Sequence, residues 1–478
     1  MNTNPNRYRL ILGCLTIALA ACGGGSSSSS SPAPVAAAAP TPQVAKGTVT
    51  GFGSVHVNGV EWETDDCEFT IDDEAGDESQ LEVGDIVEVE GTIDENGRAE
   101  CTSMEYDAEV EGLITEVGDD YILVHGLRVE INDDTILDEA LANQAISDLS
   151  IGDYVEVSAF STAGGYIATR IDLEIDDGEV EVYGKVENLN ATLNIFTIHD
   201  LTVNYATATF DDFDGKELEE GDYVEVEGMS FNADDELVAT SVEYKDNNPY
   251  DDGESGDEFE VEGYLSVDGD VLMLNDVEIV LAANVTFEYG TVDDLVDGVK
   301  VEVEGSLNDA MQLVVDEVKF KIESNIEIEA PVDGLPMQDA EGVWSISMLN
   351  RSITINDRTQ FEDESATDET YFDIEDIADG DWLEVKLFED DAGNLIAARI
   401  EREDPSDSVE VEGLFSMADG DVITVAGFTV MLDDQTELPN NSTLTDFVDS
   451  LIADTTELEV EGIWSDGSIM ALRVEFED

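Results

Sequence analysis

The residues that could carry chemistry in this sequence are few in type. Three histidines (His56, His125 and His199) and four cysteines stand among 116 acidic residues. There is no Cys-x-x-Cys pair or Cys/His cluster of the spacing that zinc sites use, and no Gly-x-Ser-x-Gly signature of a serine hydrolase. Carboxylate pairs occur everywhere, so no single pair stands out as a general acid and base. The sequence therefore predicts a non-enzymatic protein with no cofactor and no metal ligands.

The first two cysteines belong to an N-terminal export signal. Arg7 and Arg9 precede an apolar stretch, residues 10–21, that is too short to span a bilayer as a stable helix. It ends in Leu19-Ala20-Ala21-Cys22, which is similar to the lipobox of bacterial lipoproteins, where the cysteine is lipidated and becomes the first mature residue. We therefore predict a signal peptide over residues 1–21, containing Cys14, and a lipid on Cys22. The alternative is a cleaved signal with an incidental cysteine.

The segment after Cys22 predicts a flexible tether over residues 22–45, because glycine, serine, proline and alanine dominate it and cannot bury enough apolar area to fold. Gly23 stands where enterobacterial inner-membrane lipoproteins carry aspartate, which favours the outer membrane, on its periplasmic face or at the cell surface. The lipid is then the expected membrane contact, and a cell-envelope polysaccharide or protein is the partner class left open. The oligomeric state is also left open.

The other two cysteines, Cys67 and Cys101, are predicted to form a disulfide. Both would lie in an oxidising compartment, where two free thiols tend to pair. Cys101 aligns with closing-strand positions such as Ala168, and Cys67 follows the hairpin of the same repeat.

The charge of the chain excludes one class of partner. The formal charge is −98, and it is −100 without the first 21 residues, which contain two arginines and no acidic residue. Nucleic acid is therefore excluded as a partner, since phosphate binding depends on Lys and Arg releasing counterions. Hydrophobic residues make up 42% of the chain, as in ordinary globular domains. Low-affinity binding of Ca²⁺ or Mg²⁺ by surface charge stays open, although residues 211–220 and 246–260 lack the EF-hand pattern.

One phrase returns six times along the chain. Its fullest form, residues 81–91, is Leu-Glu-Val-Gly-Asp-Ile-Val-Glu-Val-Glu-Gly, and it recurs around Gly152, Gly221, Gly298 and Gly380 and, in degraded form, at residues 452–462. Alternation of Val and Glu predicts a strand with one buried face and one solvent-exposed face. The equivalent outward residues, which we interpret as an exposed strand face rather than ligands, are Glu88, Glu156, Glu225, Glu302, Glu384 and Glu459.

The rest of each repeat reads as a small β-fold. An opening strand carries a glycine, such as Gly112 or Gly263, that is expected to let the strand bend. A hairpin follows with turns such as Asn58-Gly59, then a variable segment that is helix-compatible at residues 141–149 and 444–452, and two closing strands. The predicted fold class is all-β: tandem small antiparallel barrels, OB-like, with a short helix or loop before the fourth strand. A two-layer β-sandwich is the alternative.

The repeat spacing sets the predicted domain boundaries. The repeats are predicted at residues 46–106, 107–177, 178–246, 258–323, 326–404 and 408–478, with an acidic linker at 247–257.

Taken together, the Gly-Asp-x-Val-Glu-Val-x-Gly strand, the Asn-Gly hairpin, the closing Ala-x-x-Val/Ile-Glu strand and the lipobox resemble the bacterial family catalogued as domain of unknown function 5666. The resemblance covers most of the chain from about Gly47 onward. Residues 326–404 are the most divergent, since Ala330-Pro331 replaces the opening-strand glycine. The resemblance implies repeats on an exported protein and supplies no catalytic residues.

Two classes of function are consistent with these patterns. The first is a membrane-anchored acidic lipoprotein that acts as a structural or adhesive spacer. The alternative is a binding module that takes a polysaccharide, a peptide or divalent cations through its repeated barrels. The four tryptophans occupy non-equivalent repeat positions, so we interpret them as packing residues rather than a sugar-stacking platform. They are Trp62, Trp344, Trp382 and Trp464.

Overall fold

The computed structural model describes residues 41–477 except 95–97, 133, 139, 142–144, 177, 214, 246–256, 270, 276, 310–311, 323, 340–341, 357, 368–371, 391, 440–441 and 454. The predicted signal peptide, Cys22, the tether up to residue 40 and nearly all of the predicted linker lie outside the described residues. Among those described, no helix has the length and apolar character needed to cross a membrane.

Nearly all of the regular secondary structure in the described chain is β-strand. Repeat 1 contains β1 (Thr41–Gly51), β2 (Val55–Val57), β3 (Val60–Glu63), β4 (Glu68–Ile71), β5 (Glu74–Gly76), β6 (Ile86–Ile93) and β7 (Ala99–Tyr106). Repeat 2 contains β8 (Val110–Val117), β9 (Tyr121–Val124), β10 (Leu127–Glu130), β11 (Ile136–Leu137), β12 (Tyr154–Thr162) and β13 (Gly165–Glu174). Repeat 3 contains β14 (Val180–Lys185), β15 (Glu187–Asn190), β16 (Ile195–Ile198), β17 (Leu201–Asn204), β18 (Thr209–Asp211), β19 (Tyr223–Phe231) and β20 (Leu237–Lys245).

The second half repeats the plan. Repeat 4 contains β21 (Glu258–Asp268), β22 (Val271–Leu274), β23 (Val277–Glu288), β24 (Lys300–Leu307) and β25 (Leu313–Phe320). Repeat 5 contains β26 (Ile326–Pro331), β27 (Met337–Gln338), β28 (Trp344–Met348), β29 (Arg351–Ile355), β30 (Gln360–Asp363), β31 (Trp382–Glu389) and β32 (Leu395–Glu403). Repeat 6 contains β33 (Val409–Asp419), β34 (Val422–Val425), β35 (Phe428–Met431), α1 (Leu444–Ser450), β36 (Glu457–Ser465) and β37 (Ser468–Glu477).

Each repeat follows one pairing order, seen most simply in repeat 2. There β8 pairs with β9, β9 with β10, β10 in parallel with β13, β13 with β12, and β12 with β8, which closes a hydrogen-bonded ring. Repeats 1, 4 and 6 close in the same way, while the first strand is split in repeats 3 and 5, into β14 and β15 and into β26 and β27. This is the strand order of an OB-like barrel, and the all-β prediction is confirmed.

The six repeats combine into three double sheets, and not in simple chain order. Repeat 2 joins repeat 3 through antiparallel pairing of β8 with β14, and repeat 5 joins repeat 6 through β26 and β33. Repeat 1 instead joins repeat 4 through parallel pairing of β1 with β21. Because β1 also pairs with β6, residues 41–45 belong to a strand, although the sequence predicts them as the end of the tether.

The valines of the repeated phrase form the barrel interiors. Val87, Val155, Val224 and Val301, for example, are fully buried, as the alternation predicts. Trp62 is also fully buried, and Trp382 is 9% exposed, which fits a packing role.

The helix-compatible segments differ in outcome. Residues 444–450 form α1, capped by the Thr443 side chain, which accepts a hydrogen bond from the Asp446 backbone N–H. Among the described residues of the segment 141–149, only Ile146–Asp148 is helical, as one 3₁₀ turn, and its N-cap residue Ala145 makes no side-chain capping hydrogen bond.

The opening-strand glycine has a different role from the predicted bend. The hairpin turn residue is left-handed, with φ of 54° at Asn58 and 47° at Asn275. Its side chain folds back onto the opening strand, so that a Cβ on Gly47 or Gly263 would collide with it. The strand bulges at a later position: in β1 the pairing register shifts between Val49 and Gly51. The glycine is needed for close approach, since only hydrogen leaves room for the turn side chain.

Candidate functional site

The repeated glutamates are not the solvent-exposed face that the sequence predicts. Glu302 is fully buried and Glu225 is 5% exposed, and the other four are half-buried. At Glu156 and Glu302 the reason is that the second face of the strand lies against another repeat. Tyr106 of repeat 1 donates a hydrogen bond to Glu156 of repeat 2 at 2.6 Å. Arg358 of repeat 5 contacts Glu302 of repeat 4 at 3.1 Å.

The double sheet of repeats 2 and 3 carries a row of directly opposed carboxylates, which we call the repeat 2–3 ladder. It runs across five adjacent strands, β13, β12, β8, β14 and β19. Neighbouring strands lie about 4.8 Å apart, and like charges directly opposite one another destabilise a sheet. All five members are half-buried: Asp172, Glu156, Glu111, Glu181 and Glu227.

The double sheet of repeats 5 and 6 carries a second such row, the repeat 5–6 ladder. It crosses β32, β31, β26, β33 and β36 through pairs of directly opposed residues. Its members are Glu401, Glu384, Glu329, Glu410 and Glu461. The two ladders use the same strands of the repeat, so the arrangement arises from the repeated Val-Glu phrase combined with pairing of first strands.

The environment of the ladders raises the pKa of their carboxyl groups. Burial is the main cause at Glu181, and the neighbouring carboxylates Glu225 and Glu111 add to it, which raises the pKa of Glu181 to about 9. Burial also raises the pKa of Glu156 to about 8, although its hydrogen bond from Tyr106 acts in the opposite direction. In the second ladder, burial followed by the charge of Glu459 raises the pKa of Glu410 to about 8. These groups hold protons near neutral pH because their charged forms are poorly solvated and repel each other.

Four groups of three carboxylates among the described residues bring their oxygen atoms within 4.8 Å of one another. Basic side chains contact members of all four groups, because Glu225 and Glu401 each belong to two of them and pair with Lys245 and Arg399. Lys245 Nζ lies 2.7 Å from both Asp73 and Glu225, and Arg399 contacts Glu362 at 3.0 Å. Two of the four groups combine Glu181, Glu225 and Glu227, and Glu384, Glu401 and Glu403. Each includes members of a ladder. Carboxylate oxygens at this separation suit Ca²⁺, whose oxygen ligands lie 2.3–2.6 Å from the ion.

Sequence reasoning missed these groups because their members come from different strands, and in one group from different repeats. Asp73, for example, meets Glu225 across 152 residues of chain. The sequence signal that could have found them is the alternation of Val and Glu, which has the same phase in every repeat. When two repeats pair through their first strands, this phase places their glutamates opposite one another.

The histidines take no part in these carboxylate groups in the described part of the chain. His125 and His199 are hairpin turn residues with φ of 48° and 47°, as interpreted from the sequence. His125 Nε2 accepts a hydrogen bond from the Leu113 backbone N–H at 3.1 Å, so it secures its own hairpin.

The predicted modification sites have different outcomes. Cys22 lies outside the described residues, so its lipidation stays a prediction. Cys67 and Cys101 are joined by a disulfide between the segment after the first hairpin and β7, with their Cα atoms 5.2 Å apart.

Comparison with known proteins adds a family and one distant structure. A family model described as Domain of unknown function (DUF5666) matches residues 46–105, 111–172, 183–243, 260–319, 337–401 and 412–475. No curated protein matches the chain. Among solved structures, the chain is similar to a multidomain protein with nucleic acid binding domains from Streptococcus pneumoniae TIGR4, at 12% identity over 50% of this chain and 76% of that chain, with a TM-score of 0.13. That score is too low to carry an argument about this protein.

Proposed function

The chain belongs to the DUF5666 family, and we propose that it is a non-enzymatic, lipid-anchored acidic protein whose paired repeats bind divalent cations. The observation that carries the proposal is the pair of carboxylate ladders, each formed by five opposed acidic residues across one double sheet. A cation between opposed carboxylates replaces repulsion with attraction.

The chemistry of the ladders favours calcium or magnesium over softer metals. All candidate ligands are carboxylate oxygens, which hard divalent cations prefer, and no cysteine or histidine belongs to the carboxylate groups of the described chain. Calcium tolerates irregular coordination better than magnesium, which demands near-octahedral geometry. We therefore expect calcium to bind more tightly than magnesium.

An anchored binding protein accounts for the arrangement of repeats better than a spacer does. A spacer built end to end requires contacts between neighbouring repeats only. Here repeat 1 pairs with repeat 4, and residues 39–478 form one compact unit. The lipid on Cys22 would hold this unit at the outer membrane through the preceding tether.

The test is calcium titration of the full mature chain at constant ionic strength. A variant with one change in each ladder, Glu181→Gln with Glu410→Gln, removes a central carboxylate from both rows. The matched control, Glu217→Gln with Glu219→Gln, removes the same charge from exposed positions of repeat 3. We expect calcium to raise the Tm of the wild type and the control by the same amount, and to raise that of the ladder variant by less than half as much.

Two results would count against the proposal. One is a wild-type Tm that does not respond to millimolar calcium at matched ionic strength. The other is an equal calcium response in the ladder variant and the control, because that would place binding in the diffuse surface charge rather than in the ladders.

A further inference from the structure

Basic side chains collect at one cavity where repeats 1, 2, 4 and 5 meet. The cavity has a volume of about 110 Å³. Repeat 1 contributes Thr48 and Thr50, and repeat 2 contributes Asp134 and Thr169. The basic residues of its wall come from repeats 4 and 5: Lys300, Lys321, Arg358, Lys386 and Arg399.

The concentration of positive charge here is far above that of the chain. Only 18 of the 478 residues are Lys or Arg, and five of them line this one cavity. Among the described lining residues only Asp134 and Glu262 are acidic. Other carboxylates that pair with these basic groups, such as Glu302 and Glu401, are not part of the wall. The wall therefore presents five basic side chains against two acidic ones, and the other partner carboxylates lie behind it.

Three polar atoms of the lining residues have no hydrogen-bond partner among the described residues. They are the Thr48 hydroxyl oxygen, Arg358 Nε and Arg399 Nε; Thr48 and Arg399 are each 5% exposed and Arg358 is half-buried. The Thr48 backbone N–H, by contrast, donates to Glu262 at 3.0 Å. Buried donors without partners are costly, so a ligand that accepts their hydrogen bonds would be stabilised by them.

We propose that this cavity binds a small tetrahedral oxyanion of the phosphate or sulfate class. Arginine and lysine supply charged donors that suit such an anion, and threonine hydroxyls supply neutral ones. A single water needs roughly 10–15 Å³ of such space, so the cavity has room for an oxyanion. A long polyanion does not fit the proposal, because the strongly negative surface around the cavity repels it.

A neighbouring cavity offers space for a ligand larger than a free oxyanion. It has a volume of about 340 Å³ and shares Asp134, Thr169, Lys300 and Lys321 with the first. A phosphate ester would place its phosphate among the basic groups and its organic part in this second space.

Isothermal titration of the full mature chain tests the proposal, with inorganic phosphate, sulfate and glycerol phosphate as probes and chloride at equal ionic strength as the background. We expect saturable 1:1 binding of phosphate or sulfate. Tighter binding of glycerol phosphate than of inorganic phosphate would identify an ester as the ligand class, and the reverse order would identify the free ion.

Two neighbouring lysines supply a matched pair of variants. Lys319 and Lys321 both contact Glu302, at 3.0 and 3.9 Å, but only Lys321 lines the cavities. We expect Lys321→Gln to weaken binding by about tenfold, since it removes a charged donor, and Lys319→Gln to change it less than twofold. Thr48→Val keeps the backbone bond to Glu262 and removes only the hydroxyl, so we expect about fivefold weaker binding with unchanged folding.

The proposal is overturned if none of the probes binds saturably above the chloride background. It is also overturned if Lys319→Gln weakens binding as much as Lys321→Gln, because the basic groups would then act only as a structural network. If Lys321→Gln does not fold, Thr48→Val decides: unchanged affinity in that variant rejects the site.

Discussion

Replacing Glu181 with Gln should make the protein more stable above about pH 5, by an amount that grows as the pH rises. Glu181 lies on β14, the fourth of the five strands of the repeat 2–3 ladder, directly opposite Glu111 on one side and Glu227 on the other. Its pKa is raised to about 9, first by burial and then by nearby carboxylates. Glutamine has nearly the shape of the protonated acid and cannot become charged, so it imitates the state that the folded ladder favours.

The sign follows from proton linkage. Glu181 of the unfolded chain has the ordinary pKa of 4.5, whereas in the folded chain its pKa is raised to about 9. Between these values the folded state binds more protons, so the free energy of unfolding falls as the pH rises. Each pH unit is worth at most about 1.4 kcal/mol for one group. Because the ladder carboxyls titrate together, we expect Glu181→Gln to add about 1–3 kcal/mol at pH 8 and nothing measurable at pH 4.5.

Calorimetric melting of wild type and variant between pH 4.5 and pH 8, without divalent cations, measures this difference. A gain of 1 kcal/mol corresponds to about 2–4 °C in Tm for a cooperative unit of 150–250 residues. Glu217→Gln, in an exposed loop of the same repeat, is the control and should leave the pH dependence unchanged. A variant that is no more stable than wild type at pH 8, or a wild type whose Tm does not fall from pH 5 to pH 8, would refute the account of the ladder.

Three further predictions follow from charge and covalent structure. Sodium chloride should raise the Tm of the calcium-free protein, because a formal charge of −100 repels itself over a Debye length of about 10 Å at 0.1 M; a flat Tm between low and high salt would exclude this. Cys22→Ser should release the protein from membranes into the soluble fraction, and continued membrane association of that variant would argue against the lipid anchor. Reduction of the bridge between Cys67 and Cys101, 34 residues apart, should destabilise repeat 1 by about 3–4 kcal/mol in the chain-entropy model; thiol labelling of both cysteines in the native protein would contradict the bridge.

Local patterns were enough to predict the repeat and its interior. The alternation of valine and glutamate predicts strands whose valines are buried, and Val157 and Val226 are indeed fully buried. The turn at Asn58-Gly59 predicts a hairpin, which β2 and β3 form. Both depend on residues close in sequence, whose geometry is set by the two-residue period of a strand and by the left-handed turn.

The same patterns misjudged the outer face of the strands. Glu225 and Glu302 are polar residues at the phase expected for solvent, yet both are buried. Polarity predicts exposure only when nothing else covers the face, and here other repeats cover it. Charged groups are paired where two repeats meet. Lys245 of repeat 3, for example, lies 2.7 Å from Asp73 of repeat 1.

The sequence by itself thus determined six copies of one β-fold, their inner valines and their unusual acidity, since each depends on residue type and short-range spacing. Only the tertiary structure decided that repeat 1 pairs with repeat 4 and that Lys300, Arg358 and Arg399 meet around one cavity. The physical reason is that every repeat offers a first strand with the same backbone hydrogen-bonding groups, so strand pairing alone does not choose a partner. The choice depends on side-chain contacts between residues far apart in the chain, which no local pattern records.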